Sequence, residues 1–188
     1  MAQRTPEPTT EQEARRIEAF LKGGAETTLE VVQTFRAEPA TVDLERPGTL
    51  AFPVLSRDAS TQLGQEGDLR ALLAVDLADV ENVDDFFVHL FINQVEATTQ
   101  TSPGDPHFAG GLAFFCQAED QDGRLVCIPG DSPRRFLLDV TPVLRKVGDV
   151  DDALRVTVVL VPFPDRTAKS RTMSVTGAEL NISQSVVK

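Results

Sequence analysis

The sequence predicts an antiparallel all-β sandwich trimmed with short helices. Three observations carry that expectation. Runs that are apolar throughout, or that alternate with period two, recur along the chain; the plainest are V-H-L-F-I-N at 88–93 and L-R-V-T-V-V-L-V-P at 154–162. Clusters of Gly, Pro, Asp and Ser separate these runs, as turns do. No regular strand–helix–strand alternation appears, which argues against a parallel sheet of βαβ units. The runs amount to about seven or eight strands, enough for two packed sheets.

In chain order, residues 1–8 are rich in Pro and Thr and carry no structural pattern. Thr9 and Thr10, with Gln12 and Glu13 three residues on, form a capping box, and a helix over about 10–22 stops at Gly23-Gly24. Ala14, Ile17, Phe20 and Leu21 give that helix one apolar stripe, suited to the protein's own core or to a partner. The run 29–35 fits a short helix or a strand, and Glu38-Pro39 ends it. Residues 49–55 form a strand that Pro53 confines to an edge or an irregular position. A polar loop fills 56–67, D-L-R-A-L-L-A-V-D-L is a strand, and 76–85 is an acidic, turn-rich segment. In the central strand Val88, Leu90 and Ile92 share one face and Phe87, His89 and Phe91 the other, so both faces are covered at least in part. Residues 108–118 and 123–129 read as a hairpin around Asp122-Gly123. A short strand over 134–139 leads to Thr141 as N-cap and Pro142 at N1 of a short helix near 141–147. The last strand covers about 173–182, interrupted by Gly177. The organisation expected is an extension over 1–45 and a β-sandwich domain over 46–188.

Composition narrows the function classes. The chain has 188 residues, 41% hydrophobic and 25% charged, which suits an ordinary globular protein with a real core. Its net charge of -11 repels phosphate backbones and anionic lipid, so no nucleic-acid or membrane-surface role is expected. No run approaches the length of a membrane span, and no secretory signal is visible, so a cytoplasmic location is the default expectation. There are eleven Phe but no Trp or Tyr, and only two His, two Cys and two Met. That inventory is too thin for a self-contained metal site of three or four His and Cys ligands.

The motifs of catalysis are missing: no nucleophile elbow, zincin helix, phosphate loop, dinucleotide fingerprint or C-x-x-C. His89 lies mid-strand among Phe residues and reads as a packed histidine, while His107 follows Pro106 on a loop, where it suits a turn hydrogen bond. Cys116 and Cys127 flank the expected hairpin turn; a cross-strand disulfide and two reduced thiols both remain open, and a chain without a signal favours the thiols. Asp84-Asp85 and Asp151-Asp152 read as solvated turns rather than calcium ligands. Asn181-Ile182-Ser183 matches a glycosylation sequon, which means little without secretion. A Cu(I) carrier built from Cys116, Cys127, His107 and Met173 has suitable ligand softness, yet its spacing is unlike a carrier motif. From the residues alone the chain is a non-enzymatic β-sandwich.

Six segments in order give a sharper expectation. Leu50-Ala51-Phe52-Pro53-Val54 is similar to a Phe-Pro strand, Val88-His89-Leu90-Phe91-Ile92-Asn93 to an F-D-V-x-V-N strand, and His107-Phe108-Ala109-Gly110-Gly111-Leu112 to E-F-A-G-S-F. Val140-Thr141-Pro142-Val143-Leu144 is similar to I-T-E-L-L, Val158-Val159-Leu160-Val161-Pro162 to V-V-T-L-V-P, and Thr176-Gly177-Ala178-Glu179-Leu180 to a G-G-I-x-I ending. Together, over about 48–182, they resemble the C-terminal β-domain of polyphenol oxidases and tyrosinases, the type 3 copper proteins; haemocyanin C-terminal domains share the F-A-G step. The departures are His89 where the plant pattern has an acidic residue, Gly111 where it has Ser, and Gln117-Ala118 where a histidine often stands.

The resemblance implies a domain without chemistry of its own and without a cofactor. In that family two coppers sit on six histidines of a preceding helical bundle, and the C-terminal domain covers the entrance and keeps the enzyme latent through an inserted loop. It implies a tyrosinase-like dicopper domain or subunit as partner. Asn93, Asp105, His107, Phe108, Ala109 and Gly110 carry the partner-binding or structural motif; the loop 97–106 is the first candidate for insertion and the Phe163-Pro164 turn the second. A self-associating structural module, with the N-terminal helix as an arm, is the alternative. Small-number fluctuation in a Phe-preferring core is the plainer account of the lack of Tyr, and a chain held against a phenol-oxidising site is the sharper one.

Overall fold

In the computed structural model the described residues are 27–53, 69–78, 86–114, 118–119, 125–126, 134–147, 153–163 and 172–187. The expected helix over 10–22, the loop 56–67, Asp84-Asp85, Cys116, Cys127, Asp151-Asp152 and Pro164 lie outside them. The elements are β1 (Thr27–Ala37), β2 (Ala40–Asp43), β3 (Gly48–Phe52), β4 (Leu69–Ala78), β5 (Phe86–Ile92), β6 (Phe108–Phe114), β7 (Ala118–Glu119), β8 (Leu125–Val126), β9 (Arg134–Asp139), α1 (Thr141–Val147), β10 (Leu154–Pro162) and β11 (Thr172–Val187).

The all-β expectation holds. Two antiparallel sheets carry the fold: one runs β1-β11-β4-β9 with β2 also on β11, the other β3-β10-β5-β6. Period-two patterning supplies the core between them. Leu73, Val75 and Leu77 of β4 and Leu180 and Ile182 of β11 meet Val88, Leu90 and Ile92 of β5 and Val156, Val158 and Leu160 of β10, all fully buried. Phe114 at the β6 edge stacks on Phe86 at 4.8 Å and meets Phe136 of β9 edge-on at 5.7 Å, which draws the two sheets together along that side.

Several expectations are sharpened or corrected. The ambiguous run 29–35 is strand: β1 pairs with β11 from Thr27↔Val187 to Ala37↔Ala178. Strands β1 and β2, which precede residue 46, are therefore hydrogen-bonded members of the five-stranded sheet. With them and the small β7–β8 ribbon the described strands outnumber the seven or eight expected. Strand β3 is an edge, and Pro53 follows it, where its missing N–H costs nothing. Gly177 marks a register shift in β11, but the strand continues well past it. Of the hairpin expected over 108–118 and 123–129, residues 115–117, 120–124 and 127–129 lie outside the described residues, and 108–114 are taken by another partner. Strand β6 pairs with β5, and among the described residues Ala118↔Val126 and Glu119↔Leu125 make the expected turn-linked pair.

The helix start differs too. The Val140 carbonyl accepts the first helical bond from the Leu144 N–H at 3.0 Å, so Val140 holds the N-cap place. Thr141 is buried and its hydroxyl is spent elsewhere: Oγ1 accepts the Ala71 N–H at 2.8 Å, while the Ala71 carbonyl accepts the Val140 N–H at 2.9 Å. Asp139 Oδ1 takes the Thr141 N–H at 3.0 Å. The helix is thus pinned to β4 by two reciprocal bonds. The sequon Asn181-Ile182-Ser183 lies within β11, not on a loop; Asn181 Oδ1 accepts the Thr34 hydroxyl at 2.7 Å and Ser183 is buried.

Candidate functional site

Strand β5 has a second apolar face because a loop folds over it. Phe91, Ala97 and Val159 are buried in a small cluster outside the main core, with Phe108 and Val161 packed against it. These residues line the outer face of the four-stranded sheet, under the start of the 93–107 connection. Aromatic rings extend this face along β5: His89 meets Phe108 edge-on at 5.3 Å, Phe91 meets Phe108 at 5.5 Å, and Phe163 stacks on Phe87 at 4.7 Å.

The loop is built from turns. Ala97 N–H donates to the Gln94 carbonyl, Thr101 to Thr98, Asp105 to Ser102 and Phe108 to Asp105, all within 3.0–3.2 Å, so i→i+3 bonds follow one another through the loop. Side chains reinforce them. Thr101 Oγ1 accepts the Thr98 N–H at 2.8 Å, Ser102 Oγ the Gly104 N–H at 3.0 Å, and Asp105 Oδ1 the His107 N–H at 2.8 Å. Thr, Ser and Asp serve here as turn formers, which is their ordinary local chemistry. Val95, Glu96, Thr98, Gln100, Ser102, Pro103, Gly104 and Pro106 are left exposed along a self-bonded scaffold.

Both ends of the loop are clamped to strand ends. Asn93 adopts a left-handed conformation (φ 53°), which Asn tolerates better than most residues. Its N–H donates to the Arg155 carbonyl at 2.8 Å and its Oδ1 accepts the Arg155 N–H at 2.9 Å. At the other end the Ile92 N–H donates to the His107 carbonyl at 2.8 Å, and His107 Nδ1–H donates to the Ile92 carbonyl at 2.7 Å. The F-A-G step that follows is a β-bulge: Phe91 pairs with Phe108 and Leu90 with Gly110, leaving Ala109 over. Gly110 has φ 151°, and a Cβ there would lie 2.7 Å from Leu138 Cδ2 of β9. Only glycine meets both demands without strain.

Asn93, Asp105, His107, Phe108, Ala109 and Gly110 therefore gather at one end of the sheet. Phe163 does not join them. Val156 pairs with Ile92 and Pro162 with Phe86, so Phe163 stands at the opposite end of β10, about 20 Å away at the usual strand rise. Of the carrier ligands, Met173 is buried in the main core, away from His107. Among the described residues no three His, Cys, Asp or Glu converge as a metal would require.

His89 and Gly111 are directly paired across β5 and β6. A Cβ on residue 111 would lie 3.2 Å from His89 Cδ2 and 3.6 Å from Phe108 Cζ. An imidazole at 89 thus lies beside the space that a side chain at 111 would fill. His89 Nδ1 is buried with no hydrogen-bond partner among the described residues, and burial lowers the pKa of the ring. Sequence reading separated these positions because the pairing register, and with it the bulge, is a tertiary fact. Thr157, opposite Phe91 on the same face and buried with an unpartnered Oγ1, was missed for the same reason.

The opposite face of the molecule is different in kind. Across the outer side of the five-stranded sheet Glu179 bonds Arg36 at 2.9 Å and also Arg135, which lies 3.5 Å from Asp76. That charged row is solvated, unlike the aromatic outer face of the four-stranded sheet.

No family model and no curated protein matches the sequence. Among solved structures, a recombinant latent aurone synthase (polyphenol oxidase) co-crystallised with hexatungstotellurate(VI) is similar at TM-score 0.46 and 14% identity, over 78% of this chain and 26% of that chain. Latent aurone synthase from natural source is similar at TM-score 0.44 and 15% identity, over 77% of this chain and 25% of that one. The chain spans about a quarter of the length of these proteins. The match is partial.

Proposed function

We propose that this chain is a non-catalytic β-domain of the tyrosinase C-terminal type, which covers a type 3 dicopper catalytic domain or subunit and keeps it latent. One observation carries the reading: six family-like segments occur in order between about residues 48 and 182. The two that matter most have physical roles here. The terminal Asn of the V-N step holds the left-handed turn into the loop, and F-A-G is the bulge leading out of it. A motif pair that builds both ends of one loop is a more specific resemblance than short matches scattered along a chain. The copper and its histidines belong to the partner; this chain contributes shape.

The covering contact is assigned to the loop 97–106 rather than to Phe163. The turn-bonded loop offers exposed Pro103 and Gly104 on a rigid support, and a rigid insert loses little entropy on docking. Mixing the 188-residue chain with a tyrosinase catalytic domain should lower catechol oxidation in a saturable way, and protease treatment should restore it. Replacing Ser102, Pro103 and Gly104 by a longer Gly-Ser segment should abolish the inhibition while the fold persists. Full activity of the catalytic domain at saturating chain concentration, with no complex in light scattering, would sink the proposal. A stable homo-oligomer in that experiment would favour the self-associating module instead.

A further inference from the structure

The connection 93–107 holds the sequence's single Asp-Pro step, Asp105-Pro106, just before β6. Such a bond is a weak peptide link for two reasons. Proline has no N–H, so its amide nitrogen is tertiary and leaves as a basic secondary amine. The aspartate carboxyl also reaches its own carbonyl carbon to close a five-membered ring, an attack that needs no second molecule. The fold arranges both sides of this bond. Asp105 Oδ1 accepts the His107 N–H at 2.8 Å, and the ring so closed contains the 105–106 peptide link. The carboxyl is thereby curled toward the carbonyl it would attack. That carbonyl oxygen accepts the Phe108 N–H at 3.0 Å, a donor placed where negative charge would develop. Downstream, two bonds fix His107 to Ile92; upstream, the Asp105 N–H is held by the Ser102 carbonyl at 3.0 Å. Pro106 is exposed, so water reaches the bond.

We infer that the chain cleaves itself between Asp105 and Pro106 and stays folded as two pieces. A carboxyl oxygen of Asp105 bonds to the Asp105 carbonyl carbon while the C–N bond to Pro106 breaks. The carboxyl proton passes to the prolyl nitrogen, which leaves as a secondary amine. The cyclic anhydride left on Asp105 is opened by one water to the two carboxyls of a C-terminal aspartate. The topology tolerates the cut. Among the described residues, every strand pair of the two main sheets joins a strand before residue 105 to one after it. Strand β11 bonds β1, β2 and β4, β9 bonds β4, β10 bonds β3 and β5, and β6 bonds β5. Pieces 1–105 and 106–188 are therefore interleaved in both sheets. The bonds that pin α1 to Ala71 cross the same division. The cleavage does not depend on the proposed function; where that reading holds, it severs the covering loop.

Incubating the purified full chain with protease inhibitors at about pH 5, which favours the acid form of a carboxyl, tests it by denaturing electrophoresis and intact mass. Pieces 1–105 and 106–188 should appear at a rate independent of chain concentration and at least tenfold faster than in urea at the same pH. Hydroxylamine in the buffer should leave a hydroxamate on Asp105, the signature of the anhydride. Asp105→Asn keeps an oxygen for the His107 N–H but has no acid proton to give, and Pro106→Ala makes the nitrogen a poorer leaving group. Each should slow cleavage at least tenfold, with the urea midpoint showing that the variant is folded. A wild-type chain still intact after several days, or cut no faster folded than in urea, would overturn self-cleavage. The two pieces should elute together in native chromatography, and their separation would overturn the two-piece fold.

Discussion

At position 89 an imidazole sits among Phe87, Phe91 and Phe108 with glycine as its cross-strand neighbour, and the arrangement makes two measurable claims. Gly111→Ser should cost about 1–3 kcal/mol by crowding the ring, measured by urea unfolding. In a His89→Ala background most of that cost should vanish, and a double-mutant cycle showing coupling below about 0.5 kcal/mol would refute direct packing. The second claim is about pH. Burial lowers the folded-state pKa of His89 below its ordinary 6.5, so the unfolded chain takes up the proton first. Stability is then fully present above that value and is lost as pH falls through 6.5 toward the lower folded pKa. Denaturation midpoints from pH 8 down to 5 should decline in this window for the wild type and stay flatter for His89→Phe.

Strand and turn limits show which local signals suffice. The bounds of β9 and β10 were legible because Pro and Asp punctuate the apolar runs there. The cap of α1 was not. A Thr-Pro step reads as an N-cap, but the Thr141 hydroxyl serves the Ala71 N–H across the fold. Thr141→Val, which keeps the shape, should therefore destabilise by about 1–3 kcal/mol by leaving that buried donor unpaired. The change should appear in the denaturant midpoint, not in a loss of helical signal. The entry to the candidate loop makes a parallel case. Asn93→Ala loses both the bond to the Arg155 N–H and tolerance for φ 53°, and should cost about 1–2 kcal/mol. Asn93→Gly regains the backbone freedom and should cost less, so an equal loss for both variants would show that the turn conformation is not what Asn93 supplies.

For the whole molecule, the two outer faces differ: the four-stranded sheet carries packed aromatic rings, while the five-stranded one carries the Arg36, Glu179, Arg135 and Asp76 row. Hydrogen bonds from Arg36 and then Arg135 hold the Glu179 carboxyl below its ordinary pKa of 4.5. A depressed carboxylate stabilises above its ordinary range and loses that contribution as pH falls through the folded value. The row is largely exposed, so Glu179→Gln should shift the denaturation midpoint only slightly, and about 1 M salt should erase the difference. A large, salt-insensitive loss would mean the row is structural rather than solvated.

Alternation and turn residues, being local, determined by themselves that this chain makes antiparallel strands, where most of them lie, and that both faces of β5 are covered at least in part. The same locality made the Asn93 and Phe108-Ala109-Gly110 motifs visible as two ends of one loop. Register and layer order are decided by which strand completes which sheet, a matter of long-range packing that no window of sequence contains. Only the tertiary structure could recruit β1 and β2 into the sheet, pair His89 with Gly111, turn Thr141 toward β4, and set Phe163 at the far end of β10 from Asn93.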